Sequence, residues 1–337
     1  MNAREIFDTL KKKIYSPVYF FYGEEPFYID ELTAYIETHV LDEASKAFNQ
    51  TIVYGLDVSA KEVADMARRF PMMGDFQVII VKEAQNIQSF DPLIEYFKNP
   101  LESTILVINY KYKKLDKRKT LYKLLNKSNK VVLFESQRVY DNKIPAWISE
   151  RVHLLGYTIT PKAEMMLAEF LGTDLSRIAN EINKLTINLN PGEKITEDLV
   201  EQNIGISKEF NVFELQKALG QKDIFRALRI IDYFESNPKQ NPLQMVNVLL
   251  YGFFMKVLMY HQLRKFDRNT IASKLGIPVF FVTDYQKAAQ QYSPEKIKKI
   301  ITELRQVDMK SKGMGTTENT SYGPLKEWLF KVLDKPV

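Results

Sequence analysis

The 337-residue chain has no cysteine, only three histidines and two tryptophans. Without cysteine there are no disulfides, no thiolate catalysis and no cysteine-ligated zinc. His39, His153 and His261 are scattered, with no second ligand at helical spacing, so neither a catalytic zinc nor any other metal is expected. An excess of one charge is also nearly missing. The 47 Lys and Arg against 42 Asp and Glu leave a net +5, which permits contact with nucleic acid without demanding it. No apolar run approaches the length of a membrane span, and the start Met1–Asp8 lacks the apolar stretch of a signal peptide. The expectation is a cytoplasmic protein with no membrane contact. There is no internal repeat and no low-complexity segment. The length predicts two or three domains with substantial cores, and 45% hydrophobic with 26% charged residues is an ordinary globular composition.

Strands are legible in the first part of the chain. Pro17–Tyr22, Thr51–Tyr54, Val78–Val81, Thr104–Ile108 and Lys130–Phe134 are short runs rich in aromatic and β-branched residues. Helical patterns separate them, over Ala3–Lys13, Phe27–Leu41, Val63–Ala67 and Leu93–Phe97. Alternation through residue 135 predicts an α/β domain with a largely parallel sheet, placed at residues 1–140. Beyond Tyr140 nearly everything is helical. Trp147–Leu155 forms a helix ended by Gly156, Thr160-Pro161 opens a second, Leu175–Leu185 marks a third, and Thr196 caps a fourth that ends at Gly205. These predict a small helical bundle domain over 141–208. A larger helical region fills 209–337. Its Ser293-Pro294 opens a helix closed by Gly313, Gly313–Ser321 reads as a linker, and Leu325, Trp328, Leu329, Val332 and Leu333 stripe the last helix. The aromatic and methionine-rich run Leu249–Tyr260 reads as core rather than interface.

The stretch Arg69–Glu83 combines two features. Val78–Val81 is a β-branched run fit for a strand buried on both faces. Before it stands an apolar tip, Phe70-Pro71-Met72-Met73, ended by the turn-like pair Gly74-Asp75. Methionine is unbranched and polarizable, suited to an irregular pocket on a partner. Its alternative is to tuck under its own domain, and spacing alone does not separate the two.

A sheet of this kind followed by a helical bundle calls for a phosphate-binding loop after the first strand. Gly23 stands where such a loop would begin, but the required Gly-Lys-Ser/Thr reads Tyr28-Ile29-Asp30. Glu24, Glu25, Asp30 and Glu31 would repel a polyphosphate. The acidic pair that would hold magnesium after the third core strand reads Lys82-Glu83. ATP hydrolysis, catalytic residues and a nucleotide cofactor are therefore not expected. Glu24 and Glu25 could form a general acid/base pair, but adjacent carboxylates more often make a solvated helix start.

The segment Lys111–Lys123 gathers seven cations around two tyrosines. Lys111, Lys113, Lys114, Lys117, Arg118 and Lys119 are candidates for a phosphate-backbone contact. The competing reading has Leu121, Leu124 and Leu125 anchoring a helix whose other face is solvated. Asp116 and the scattered spacing favour that reading.

These residues together resemble the delta subunit family of the bacterial DNA polymerase III clamp loader. The resemblance rests on Val18–Glu25, Arg69–Asp75, Asn180–Leu185, Asn211–Leu215 and Asp308–Gly313, in that order and at that spacing. It implies an AAA+-like N-terminal domain that has lost nucleotide binding, a small helical lid and a C-terminal helical collar. It also implies that the subunit opens the ring-shaped sliding clamp (the beta subunit) with a hydrophobic wedge at the tip of a first-domain helix. Here the wedge positions are Met72 and Met73, flanked by Phe70, Pro71 and Gly74. The implied partners are the clamp, the ATP-hydrolysing loader subunits, the delta-prime subunit and primed DNA within the assembled loader. The rival functions are an ATPase with a degenerate phosphate loop and a DNA-binding module with no clamp partner. Nucleotide retention would mark the first and salt-dependent DNA binding by the isolated chain the second.

Overall fold

The computed structural model describes residues 1–72, 74–187, 189–190, 192–205, 207, 209–312 and 322–333, Leu333 by its backbone alone. Met73, the closing Gly313 and the linker 313–321 lie outside these residues. The chain divides into two compact units, Met1–Val139 and Tyr140–Val337.

The first unit runs α1 (Ala3–Lys11), β1 (Val18–Gly23), α2 (Pro26–His39), α3 (Glu43–Asn49), β2 (Gln50–Tyr54), α4 (Ala60–Ala67), β3 (Gln77–Lys82), α5 (Asp91–Lys98), β4 (Thr104–Lys111), α6 (Thr120–Lys127) and β5 (Val131–Ser136). Its five strands form one sheet in the order β2-β3-β4-β1-β5, and every pairing is parallel. Parallel neighbours need crossovers, and the helices supply them on both faces. Strand residues alternate between two cores. Val18, Phe20, Ile79, Leu106 and Ile108 meet α4, α5 and α6. Tyr19, Phe21, Val78, Ile80 and Val107 meet α1 and α2 on the opposite face. This is why β1, β3 and β4 carry continuous apolar runs. Gly23 ends β1 at φ 140°, and a Cβ there would stand 2.0 Å from the Ser136 carbonyl oxygen, so only glycine fits.

Helix α3 was not legible in the sequence. Among its seven residues only Asn49 is buried, so it carries no apolar stripe. A local cap starts it instead, the Ser45 amide donating to Asp42 Oδ1 at 2.7 Å.

The second unit runs α7 (Ile144–Leu154), β6 (Thr158–Ile159), α8 (Pro161–Leu171), α9 (Leu175–Thr186), β7 (Lys194–Ile195), α10 (Glu197–Ile204), α11 (Val212–Gln221), α12 (Ile224–Ser236), α13 (Leu243–Leu263), α14 (Arg268–Leu275), α15 (Val282–Gln291), α16 (Pro294–Ser311) and α17 (Gly323–Leu333). Thr160, Thr196 and Ser293 cap α8, α10 and α16, as their spacing predicts. The two-residue strands β6 and β7 pair in parallel and were too short to leave a periodic signal.

One core cluster joins α11 to α17, with α13 at its centre. By length and composition the 21 residues of α13 could cross a membrane, which corrects the expectation that no apolar run comes near that length. The helix is long because it packs along the bundle. Val246, Leu250, Phe254 and Val257 are fully buried. Phe254 meets Tyr292 and Trp328 edge-on at 5.7 and 6.0 Å. Val248, Tyr251 and Met259 lie on its exposed side.

Candidate functional site

The apolar tip Phe70–Gly74 follows α4 at the edge of the sheet where β2 and β3 begin. A capping box starts α4, Ser59 Oγ accepting from the Glu62 amide while Glu62 accepts from the Ser59 amide at 2.7 Å. Val63, Ala64 and Ala67 bury its inner face, and Arg68 ends it. Between Arg68 and β3 the described residues lie in no helix or strand. The base of the tip is held by polar groups from the sheet. Thr104 Oγ1 donates to the Ala67 carbonyl at 2.9 Å, satisfying one of the orphan acceptors at the helix end. Gln77 Nε2 donates to Thr104 Oγ1 at 2.8 Å and to the Arg69 carbonyl. Phe76 packs edge-on against Tyr15 at 5.6 Å.

Beyond that base the tip turns outward. Phe70 is 75% exposed and Met72 64% exposed, while Pro71 is half-buried and Gly74 exposed. A tip tucked under its own domain would leave neither large side chain in water, so for Phe70 and Met72 that alternative fails. Met73, the other expected wedge residue, lies outside the described residues. Sequence reasoning missed the residue that carries the outer tip. Asn49, the last residue of α3, is 4% exposed. Its Nδ2 donates to the Met72 carbonyl at 2.7 Å and its Oδ1 accepts from the Met72 amide at 2.6 Å. Asn49 lies two residues before the strand legible at Thr51, a position that carries no distinctive signal. Its neighbour Phe48 is 71% exposed.

At the other end of the sheet, the place of a phosphate loop is taken by carboxylates with partners. Glu25 caps α2, accepting from the Phe27 amide at 3.0 Å, with Pro26 at the first helical position. The helix-start reading of Glu24 and Glu25 thus holds, and Glu24 is solvated as expected, but Glu25 is not. Glu25 is 7% exposed, because its own amide is tied to the Ser136 carbonyl at 3.2 Å. Lys82 ends β3 and pairs with Glu37 at 3.2 Å.

The basic segment folds over that same end. Lys111 pairs with Asp30, Lys114 with Glu24 at 3.0 Å, and Lys117 with Glu135 at 3.3 Å. Arg118 forks onto Asp116 at 3.1 Å, and these bonds hold the Asp116 carboxyl down to about 2. Among the described residues, Lys113 and Lys119 form no such ion pair. Leu125 is buried, and Leu121 and Leu124 pack against the core, so α6 is anchored as the solvated-face reading requires. The structure thus brings together four of the six candidate cations with carboxylates rather than into an open basic patch. Among the described residues, no group of three or more His, Asp or Glu is placed to hold a metal ion.

Comparison with known proteins agrees over both parts of the chain. The family described as DNA polymerase III, delta subunit, matches residues 19–135, and that described as DNA polymerase III delta subunit, C-terminal domain, matches residues 209–322. The DNA polymerase III subunit delta of Bacillus subtilis (strain 168) is 28% identical over 323 residues, covering 91% of each chain. The solved structure of the Bacillus subtilis DNA clamp loader delta protein superimposes with a TM-score of 0.56 at 26% identity, covering 98% of this chain and 99% of that one. A parallel α/β domain followed by helical domains, matched at both ends and across nearly its whole length, makes this chain a member of the DNA polymerase III delta subunit family.

Proposed function

We propose that this chain is the clamp-opening subunit of a replicative clamp loader, and that the tip Phe70–Gly74 is its wedge. The observation that supports it most is the exposure of Phe70 and Met72 just beyond α4, a helix whose inner face is buried. Large apolar side chains held outward on a fixed base are the layout of a binding hot spot. Met72 and Met73 enter a pocket on the sliding clamp, with Phe70, Pro71 and Gly74 around them. The helical residues 209–337 join the ATP-hydrolysing subunits and the delta-prime subunit in a collar, and residues 141–208 form the small lid-like domain between.

Energy for opening the ring comes from those neighbours. With Glu25 committed to a helix cap and Lys82 to Glu37, the described residues at these two positions offer no group to hold a polyphosphate and its magnesium. Isothermal titration with ATP and magnesium should show no saturable heat, and a saturable site would return the ATPase reading. DNA contact through the basic segment is a minor part of the proposal. Four carboxylates already offset its cations, so the isolated chain should bind DNA weakly and with a shallow salt dependence. The deciding test is capture of the organism's own sliding clamp by the full-length chain. No capture at micromolar concentration would refute the reading.

A further inference from the structure

We propose that Asn49 is a positioning residue for the docking tip, fixing the backbone at Met72 so that the tip meets its partner already ordered. The proposal rests on the clamp-docking reading above. The described residues of segment 68–76 lie in no helix or strand, and the bonds from Gln77 and Thr104 reach only as far as Arg69. The described contact that holds Met72 itself is the Asn49 side chain. The amide's nitrogen donates to Met72 and its oxygen accepts from it, at 2.7 and 2.6 Å, in the way a neighbouring strand would.

Two features make this tether firm. The Asn49 side chain is almost wholly buried, and a buried amide without partners is costly, so release of Met72 is opposed. The residue after Asn49 begins β2, whose Gln50 pairs with Val78 of β3, so the tether is mounted on the sheet. Met72 is thereby carried by the sheet edge instead of by a free loop, while its side chain stays in water.

Ordering before contact should show in the kinetics. If the competent arrangement is only partly populated, the apparent association constant falls by that fraction while dissociation of the formed complex is little changed. Asn49→Ala removes both bonds. The full-length variant should associate with the immobilised sliding clamp about tenfold more slowly than the parent, with a dissociation rate within about twofold. Its Met72 amide should exchange hydrogen at least about tenfold faster. Asn49→Asp keeps an acceptor for the Met72 amide but places a carboxylate against the carbonyl, and should fall between the two. A residue that only supports the fold would lower the melting temperature and leave the association rate alone. A folded Asn49→Ala chain that associates at the parental rate therefore overturns the proposal. If that variant does not fold, Asn49→Asp is judged by the same rate, and failure of both to fold also overturns it. The control Met72→Ser separates this from the docking reading. If it binds like the parent, the docking reading fails; if it loses capture while Asn49→Ala associates normally, only the tether fails.

Discussion

The wedge is tested most directly by changing Phe70 and Met72 together to serine. Complete burial of either side chain is worth about 1.5–3 kcal/mol. In the free chain Phe70 keeps 75% of its surface in water and Met72 64%, so docking can still gain most of that value. Scaled by those fractions, the pair offers about 2–4 kcal/mol, a loss of roughly 30-fold to 1,000-fold in affinity when removed. The same exposure predicts that folding hardly notices. Exposed positions away from caps and cores usually shift stability by less than about 0.5 kcal/mol. Binding to the immobilised clamp and thermal unfolding by calorimetry should therefore move apart: capture lost, melting point kept. If the variant instead unfolds several kcal/mol early, in the way of large-to-small core substitutions, the two residues are core and the reasoning is wrong. If it is stable and still captures the clamp, the tip is not the wedge.

Three further outcomes follow from the packing. Gly23→Ala should cost more than about 4 kcal/mol in urea unfolding, since its Cβ would meet the Ser136 backbone oxygen at 2.0 Å with φ at 140°. Glu214 is 5% exposed and pairs with Lys162 at 2.7 Å and with Arg226, so Glu214→Ala should cost about 1–3 kcal/mol; its cations are partly in water and can rehydrate, which keeps the loss below that of a fully buried pair. Burial beside Val212 and Leu249 pushes the Glu169 carboxyl up to about 8, against the opposing pull of Lys256. The folded chain then holds a proton that the unfolded chain releases above the ordinary carboxylate range. Stability should fall as pH rises from about 5 to 8, and Glu169→Gln should flatten that slope in urea midpoints measured across the range.

Much of the architecture was written locally. Strands β1, β3 and β4 were visible because burial on both faces demands continuous apolar runs. The starts of α8, α10 and α16 were visible because a Thr or Ser cap acts on an amide three residues away. That Tyr28-Ile29-Asp30 does not match a phosphate-loop motif was likewise readable, since that motif is a fixed spacing of residue types. Helix α3 and the β6–β7 pair escaped for the converse reason. One has no buried stripe and the other is two residues long, so neither imposes a period.

What decided the site lay between residues far apart in the chain. Asn49 and Met72 are 23 positions apart, and only the pairing of β2 with β3 brings them into contact. The basic segment was a candidate patch because cations cluster in sequence, although Asp116 and the spacing already favoured a solvated helix face. The order β4-β1-β5 sets the ends of those strands side by side, and with them Asp30, Glu24 and Glu135, which meet Lys111, Lys114 and Lys117. The same adjacency buries Glu25 against Ser136. Sequence fixes side-chain chemistry and the contacts one helical turn can make. Which charges are neutralised, and which apolar side chains are left in water, depends on strand order and crossovers, and these exist only once the sheet has assembled.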